Sequence, residues 1–261
     1  MSDDKSARPQ SYISTHTNEA IYVRDASLVD ELIGKVSFTD MIFFHVMGRR
    51  PTRADTVILD AVLVTLMEHG FTPSVIATRM IAMSSPEALQ AAVAAGLLAV
   101  GSQFVGTMEE AATVIQEILE APEGVDAHAR VVAQRFRTEK KPLPGFGHHL
   151  HRPDDPRTPR LFEVARSVGV PGKHIEALQA LSHHVDEVYG RHITINATGG
   201  IAAILGEIGI PAEIMRGMAV ISRCAGLVGH IREEQAMPTG RKLWDHVEHY
   251  VEYAGEAPFK P

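Results

Sequence analysis

Residues 144–157 read PGFGHHLHRPDDPR. Three prolines, two glycines, three histidines, two arginines and two aspartates share these fourteen positions. A connector between helices needs glycine and proline to turn, but it has no need of imidazoles and guanidiniums. Gly145 and Gly147 let the backbone approach a ligand closely, while Pro144 and Pro153 stiffen the path. His148 titrates near neutral pH and is a candidate general acid. Arg152 is suited to clamp a carboxylate or phosphate in bidentate fashion, and Arg157 offers the same chemistry. The plainer alternative is a basic surface loop whose arginines pair with Asp154 and Asp155.

On both sides of this stretch the chain carries helical period and helical punctuation. Thr52 begins a helix through ADTVILDAVLVTLMEHG, with Gly70 as its stop. Thr72–Pro73 and Ser85–Pro86 each pair a cap residue with proline at the first helical position. Thr107 and Glu110 form a capping box. Thr158–Pro159 opens RLFEVARSVG, and Pro171 opens a long helix reaching about Tyr189. Further helices are expected from Asn196 to about Ile208, from Pro211 to about Arg232, and from Thr239 onward. SYISTHTNEAIYV is the one plausible hairpin. The expected fold class is all-α.

Three segments hold more special residues than a turn requires: 101–106, 142–159 and 191–200. The first two flank a helical block, which predicts a cleft between a smaller and a larger helical unit.

Composition narrows the class of function. Of 261 residues, 45% are hydrophobic and 22% charged, as in an ordinary globular protein. The net charge of −7 argues against a nucleic-acid surface, which needs a basic face. Cys224 is the single cysteine, so no internal disulfide forms and a reducing compartment fits. Its apolar helical surroundings predict a buried structural thiol. The polar start MSDDKSARPQS lacks an apolar signal core, and the apolar run Ala91–Val100 is far short of the roughly 20 residues of a membrane span. A cytoplasmic protein with no membrane partner is expected.

Other titratable groups are less telling. His69 ends its helix in MEHG, where it suits either the helix dipole or an anionic ligand. His183 and His184 lack HxxxH or HExxH spacing and read as a solvated helix face. No metal is implied, and no CxxC, Walker or GxSxG motif is present.

With these residues in view, the chain resembles the citrate synthase superfamily. PGFGHHLHRPDDPR resembles its signature G-[FY]-G-H-x(3)-[RK]-x(2)-D-P-R. Weaker matches follow in the same order: FTDMIFFHVMGRRPT with a G-R-x-P-T ending, MEHGFTPS with A-D-H-G, and LLAVGSQFVGTMEEAA with G-D-R-F-G-G-A-x-x-A-A. VISRCAGLVGHIREE is similar to G-R-S-M-G-F-I-G-H-Y. The last two patterns belong to the citryl-CoA-cleaving branch, which includes the citrate-cleaving module of ATP-citrate lyase. The likeness covers about Tyr12 to Trp244.

The resemblance implies a mostly helical homodimer with a large domain, 1–106 with 197–261, and a small one, 107–196. It implies an active site closing on a keto acid such as oxaloacetate and on an acyl-CoA. His148 would polarise the substrate's keto or hydroxyl oxygen. His69, Arg152 and Arg223 would hold its carboxylates, and Arg241 is the candidate for an arginine supplied by a partner subunit. Gly101, Phe104 and Gly106, with Gly145, Gly147 and His149, would approach coenzyme A.

Two departures stand out. Phe104 replaces the histidine of the synthases' G-P-L-H-G motif, as an aromatic does in citryl-CoA lyases. Asn196 stands where the family's N-x-D motif carries the aspartate that moves the methyl proton of acetyl-CoA. An amide cannot accept that proton, and general acid–base catalysis contributes roughly 10²–10⁴-fold. His192, His149 and His151 are the candidate replacements. The resulting expectation is a carbon–carbon lyase of the citryl-CoA type with Asn196 as a hydrogen-bond donor. The alternatives are a relative acting on another carboxylated acyl-CoA and a non-catalytic CoA-binding protein.

Overall fold

The computed structural model describes residues 9–101, 105–148 and 150–255. A small antiparallel sheet comes first, with β1 (Ser14–His16) pairing β2 (Ile21–Val23) and β2 pairing β3 (Ala26–Ser27). Ser14 faces Val23, which in turn faces Ala26. Everything after it is helical. The helices are α1 (Phe38–Met47), α2 (Arg53–Met67), α3 (Pro73–Ser84), α4 (Leu89–Leu98), α5 (Thr107–Glu120) and α6 (Val125–Glu139). They continue as α7 (Arg157–Ser167), α8 (Lys173–Tyr189), α9 (Ala197–Glu207), α10 (Met215–Ala236) and α11 (Gly240–Tyr250).

Local chemistry sets most of these boundaries. Thr52 caps α2 through a capping box with Asp55, which Arg49 also holds at 2.7 Å. Thr72 precedes Pro73 at the first turn of α3. Asn196 caps α9, its Oδ1 accepting from the Gly199 amide. Several expected starts fall elsewhere: α7 begins at Arg157, α8 at Lys173 and α10 at Met215. Ser85–Pro86 sits in a turn, and α4 begins at Leu89 with Ala88 as its cap. Thr107 is the first residue of α5 rather than its cap, which is Gly106. Its hydroxyl lies 3.0 Å from that of Thr198 and ties α5 to α9.

α9 lies at the centre of the fold. Gly199 to Leu205 are buried on every face, the mark of a helix enclosed by others. α5, α7 and α8 pack around it, and α6 packs on α8. Ile201, Ile204 and Leu205 are fully buried in this core, each contributing about 1.5–3 kcal/mol. α10 crosses α2, and its C-terminal half joins α3 and α4 in a second cluster of Ala92, Val93 and Ile231. Cys224 is half-buried against that cluster. Among the described residues, no helix is long and apolar enough to cross a membrane.

The signature loop meets this core through two glycines. Gly145 has φ +81°, and a Cβ there would lie 2.8 Å from Gly199 Cα. A Cβ on Gly199 would lie 2.5 Å from the Gly145 carbonyl oxygen. Both residues must therefore lack a side chain for the loop to seat on the start of α9. Gly199→Ala is expected to lower stability by about 1–3 kcal/mol through overpacking. An unchanged urea midpoint would show that loop and helix can part freely.

Candidate active site

Residues 194–196 form the strut on which the site is hung. The Gly147 amide donates to the Thr194 carbonyl at 2.8 Å, and the Asn196 amide to the Gly145 carbonyl at 3.0 Å. Phe146 and Ile195 form an isolated antiparallel bridge between these two bonds. The Thr158 hydroxyl donates to the Ile195 carbonyl at 3.1 Å, and the Thr194 hydroxyl to that of Pro153.

Asp155 locks the other end of the loop. Its carboxylate is completely buried and receives Arg157 Nε at 2.9 Å and Nη2 at 2.7 Å. It also accepts from the Ala197 amide at 3.0 Å, at the first turn of α9. Burial raises the carboxyl pKa, but the Arg157 bonds and the backbone amides outweigh it and hold Asp155 below the ordinary range. The expected pairing of this aspartate with an arginine is real, but it is internal rather than on the surface.

His148 is oriented by its own loop. Its Nδ1 accepts from the amides of Leu150 at 3.1 Å and His151 at 2.9 Å. A ring nitrogen that accepts cannot carry the proton, so neutral His148 is protonated at Nε2. Arg157 Nη2 lies 3.5 Å from that Nε2. Two donors thus converge on one place, the arrangement that stabilises an oxygen gaining negative charge.

These groups open into a cleft of about 670 Å³. Its wall includes His69, His148, Arg157, Asn196 and Arg223. Arg223 on α10 is nine-tenths buried, and its Nη1 has no hydrogen-bond partner. The nearest carboxylate, Glu68, is 3.9 Å away. Burial pulls the Arg223 pKa down and the charge of Glu68 only partly offsets it. Burial, with the nearby charges of Arg157, His151 and Arg223, also lowers the pKa of His69. His69 is therefore neutral at pH 7. The buried Thr72 hydroxyl oxygen beside it is likewise unpartnered.

Asn196 is fully engaged. Oδ1 accepts from the Gly199 amide at 3.1 Å and the Thr198 hydroxyl at 2.7 Å, while Nδ2 donates to the Gly147 carbonyl at 3.0 Å. An aspartate could keep the cap, but it could not donate to Gly147.

The other sequence candidates divide. Gly147 lines the cleft, whereas Gly145 is buried against Gly199 and Gly106 is buried at the cap of α5. Gly101 sits next to residues outside the described set, and Phe104 and His149 lie outside it. Arg152 is exposed and absent from the cleft wall, where Arg157 stands instead. Arg241 is on the surface of α11, 3.3 Å from Asp245 and stacked on Trp244.

His192 is not available as a base. Asp186 at 2.6 Å and Asp154 at 3.1 Å occupy both its nitrogens, and the Asp186 bond raises its pKa. His184 is not on a solvated face. It is buried, with Asp126 at 2.9 Å and Glu187 at 3.0 Å. Glu68 and Thr72 were missed, although Glu68 directly precedes His69 in MEHG.

His69, His148 and His151 bring ring nitrogens within 4.8 Å of one another, the spacing of a metal site. A metal at His148 Nε2 would require a proton on Nδ1, where two backbone amides already donate. Arg157 adds a positive charge at the same nitrogen. The cluster is better suited to an anion. His183, His184 and Glu187 form a second such group, on α8.

A small-molecule cleft with convergent cationic donors, set on a signature loop and the first turn of a buried helix, defines the class. The chain matches the citrate synthase C-terminal domain over residues 13–244 and belongs to the citrate synthase family. It is similar to citryl-CoA lyase from Hydrogenobacter thermophilus, at 32% identity and TM-score 0.87, over 98% of both chains. It shares its fold with ATP citrate lyase from Methanothrix soehngenii, solved in complex with citrate and coenzyme A. That likeness is 20% identity and TM-score 0.77, over 97% of this chain and 43% of that one. Citrate synthase of Synechocystis is 25% identical over 83% of this chain and 56% of its own length. The chain thus spans about half the length of the curated relatives it matches.

Asp155→Asn breaks a buried ion pair and is expected to cost about 3 kcal/mol at pH 7. Because the folded pKa is depressed, the carboxylate's contribution is present above about pH 4. It is lost as pH falls through the folded value. The gap between wild type and variant should therefore close in acid titrations of unfolding free energy. A gap constant down to pH 2 would contradict this.

Proposed function

We propose that the protein is a carbon–carbon lyase that cleaves citryl-CoA into acetyl-CoA and oxaloacetate. The observation that carries this reading is the buried Arg223, whose Nη1 has no hydrogen-bond partner, in a cleft with His148 Nε2 and Arg157. A buried donor left without an acceptor is costly, and a substrate carboxylate would complete it. The similarity to the Hydrogenobacter citryl-CoA lyase over nearly the whole of both chains supports the same reading.

The roles follow from geometry. Arg223 holds a carboxylate of the substrate. His148 and Arg157 donate to the carbinol oxygen as it becomes the keto oxygen of oxaloacetate, where their effect is largest in a dry site. Neutral His69 donates without adding a charge. Val105 and Thr107 also line the cleft, where the thioester arm of coenzyme A would lie.

The proposal includes two further units of organisation. The cleft lies between a larger and a smaller helical domain. The protein acts as a cytoplasmic homodimer, with Arg241 reaching a partner's cleft from α11. Trp244, Val247 and Tyr250 of that helix are exposed and support a covered apolar face.

Incubation with (3S)-citryl-CoA should release acetyl-CoA and oxaloacetate in equal amounts, followed by mass spectrometry. Tight binding of citryl-CoA without either product would favour a binding role instead. A second expectation separates binding from folding. Arg223→Met should raise KM for citryl-CoA by roughly 10–100-fold, the value of a charged hydrogen bond. The same change removes a buried charge whose one ion pair, with Glu68, is long at 3.9 Å, so the unfolding midpoint should hold or rise. Loss of folding stability in step with activity would mean that Arg223 is structural.

A further inference from the structure

Resting on that reading, we propose that Glu68 is the carboxyl group that moves the proton during cleavage. Among the described residues that line the cleft, Glu68 is the only carboxylate. It follows the last turn of α2 in extended backbone, φ −136° and ψ 148°, immediately before His69.

Its orientation is imposed from behind. His230 Nε2 lies 2.9 Å from Glu68 Oε1. The other nitrogen of that ring, Nδ1, receives Arg79 Nη2 at 2.8 Å and Nε at 3.2 Å. A guanidinium can only donate, so Nδ1 accepts and the His230 proton sits on Nε2, directed at Glu68. Arg79 is fully buried and is itself fixed by Glu234 at 2.9 Å, by Glu233, and by Thr239 at 3.1 Å. The Phe71 ring covers it at 4.9 Å. A chain from the core of α3 and α10 therefore ends on one oxygen of Glu68. None of the described residues hydrogen-bonds the other oxygen, Oε2.

This arrangement suits a proton carrier better than a structural ion pair. The cation nearest to Glu68 is Arg223, at 3.9 Å and without a hydrogen bond between them. When a substrate carboxylate takes Arg223, Glu68 keeps its anchor on His230 and remains in the cleft.

The proton balance closes on a single carboxyl group. Glu68 takes the hydroxyl proton of citryl-CoA. The electron pair of the carbon–carbon bond moves to the thioester as the carbinol carbon becomes a carbonyl. Glu68 then returns the proton to the methylene carbon, giving the methyl group of acetyl-CoA. No oxidant or other co-reactant is needed. His230 and Arg79 are positioning residues in this scheme.

The test is Glu68→Gln, which keeps an oxygen for His230 and cannot carry the proton. Cleavage of (3S)-citryl-CoA is followed together with deuterium entry into the methyl group of acetyl-CoA in D₂O with oxaloacetate. Both should fall by about 10²–10⁴-fold, with KM and the calorimetric Kd for coenzyme A unchanged. Glu68→Asp should recover part of the exchange. Full cleavage and exchange in Glu68→Gln, beside an active wild type, would overturn this assignment alone. A wild type that neither cleaves nor exchanges would overturn the lyase reading and the assignment with it. A rise in KM with kcat intact would make Glu68 a binding residue and also overturn it.

Discussion

The signature-loop side of the cleft depends on one buried carboxylate. Asp155 joins the side chain of Arg157 to the amide of Ala197, and so joins the signature loop to the first turn of α9. Burying it costs a large desolvation penalty, which four donor contacts from Arg157 and Ala197 offset. The consequence is geometric. With Asp155 fixed, Arg157 cannot swing into solvent, and its remaining donor capacity faces His148. Remove the carboxylate and the guanidinium loses its direction, although every cleft residue is still present.

The same tie explains why the centre of the fold is so glycine-rich at one place. Gly145 and Gly199 allow backbone to touch backbone, which brings the Gly147 carbonyl within reach of Asn196. α9 is buried on all sides, so its N-terminus cannot move to accommodate a longer contact. The site therefore inherits the rigidity of the core, as precise donor placement requires.

The fold was legible where local chemistry decides the boundary. Thr52 with Asp55 and Asn196 with Gly199 each cap a helix through groups within three residues of the cap, and Pro73 sets the first turn after Thr72. It was not legible at Ser85–Pro86, where a similar dipeptide serves a turn closed by the Ala88 amide on the Ser85 carbonyl. The site followed the same division. His69, His148, Asn196 and Arg223 meet in one cleft, as the motif blocks imply. The choice between Arg152 and Arg157 depends on which one a buried aspartate holds, and no spacing rule shows that Asp155 is buried while Asp154 is not. His184 was misread for a related reason. Its neighbours in sequence are polar, but α6 packs across it and brings Asp126 to its ring.

Asn196 is best understood from the bonds it makes. Nδ2 of Asn196 closes the loop over Gly147, a bond an ionised carboxylate would turn into repulsion between two oxygens. Arg157 is paired from behind with the buried Asp155, which leaves Arg223 beside Glu68 in the cleft wall. Such a wall suits a polycarboxylate, but the proposed cleavage also needs a group that can both accept and release a proton. Imidazoles are poorly placed for this. Neighbouring cations and burial depress His69, the His148 ring accepts backbone bonds on one side, and two aspartates enclose His192. A carboxylate held at one oxygen by His230, with none of the described residues bonded to the other, has neither handicap.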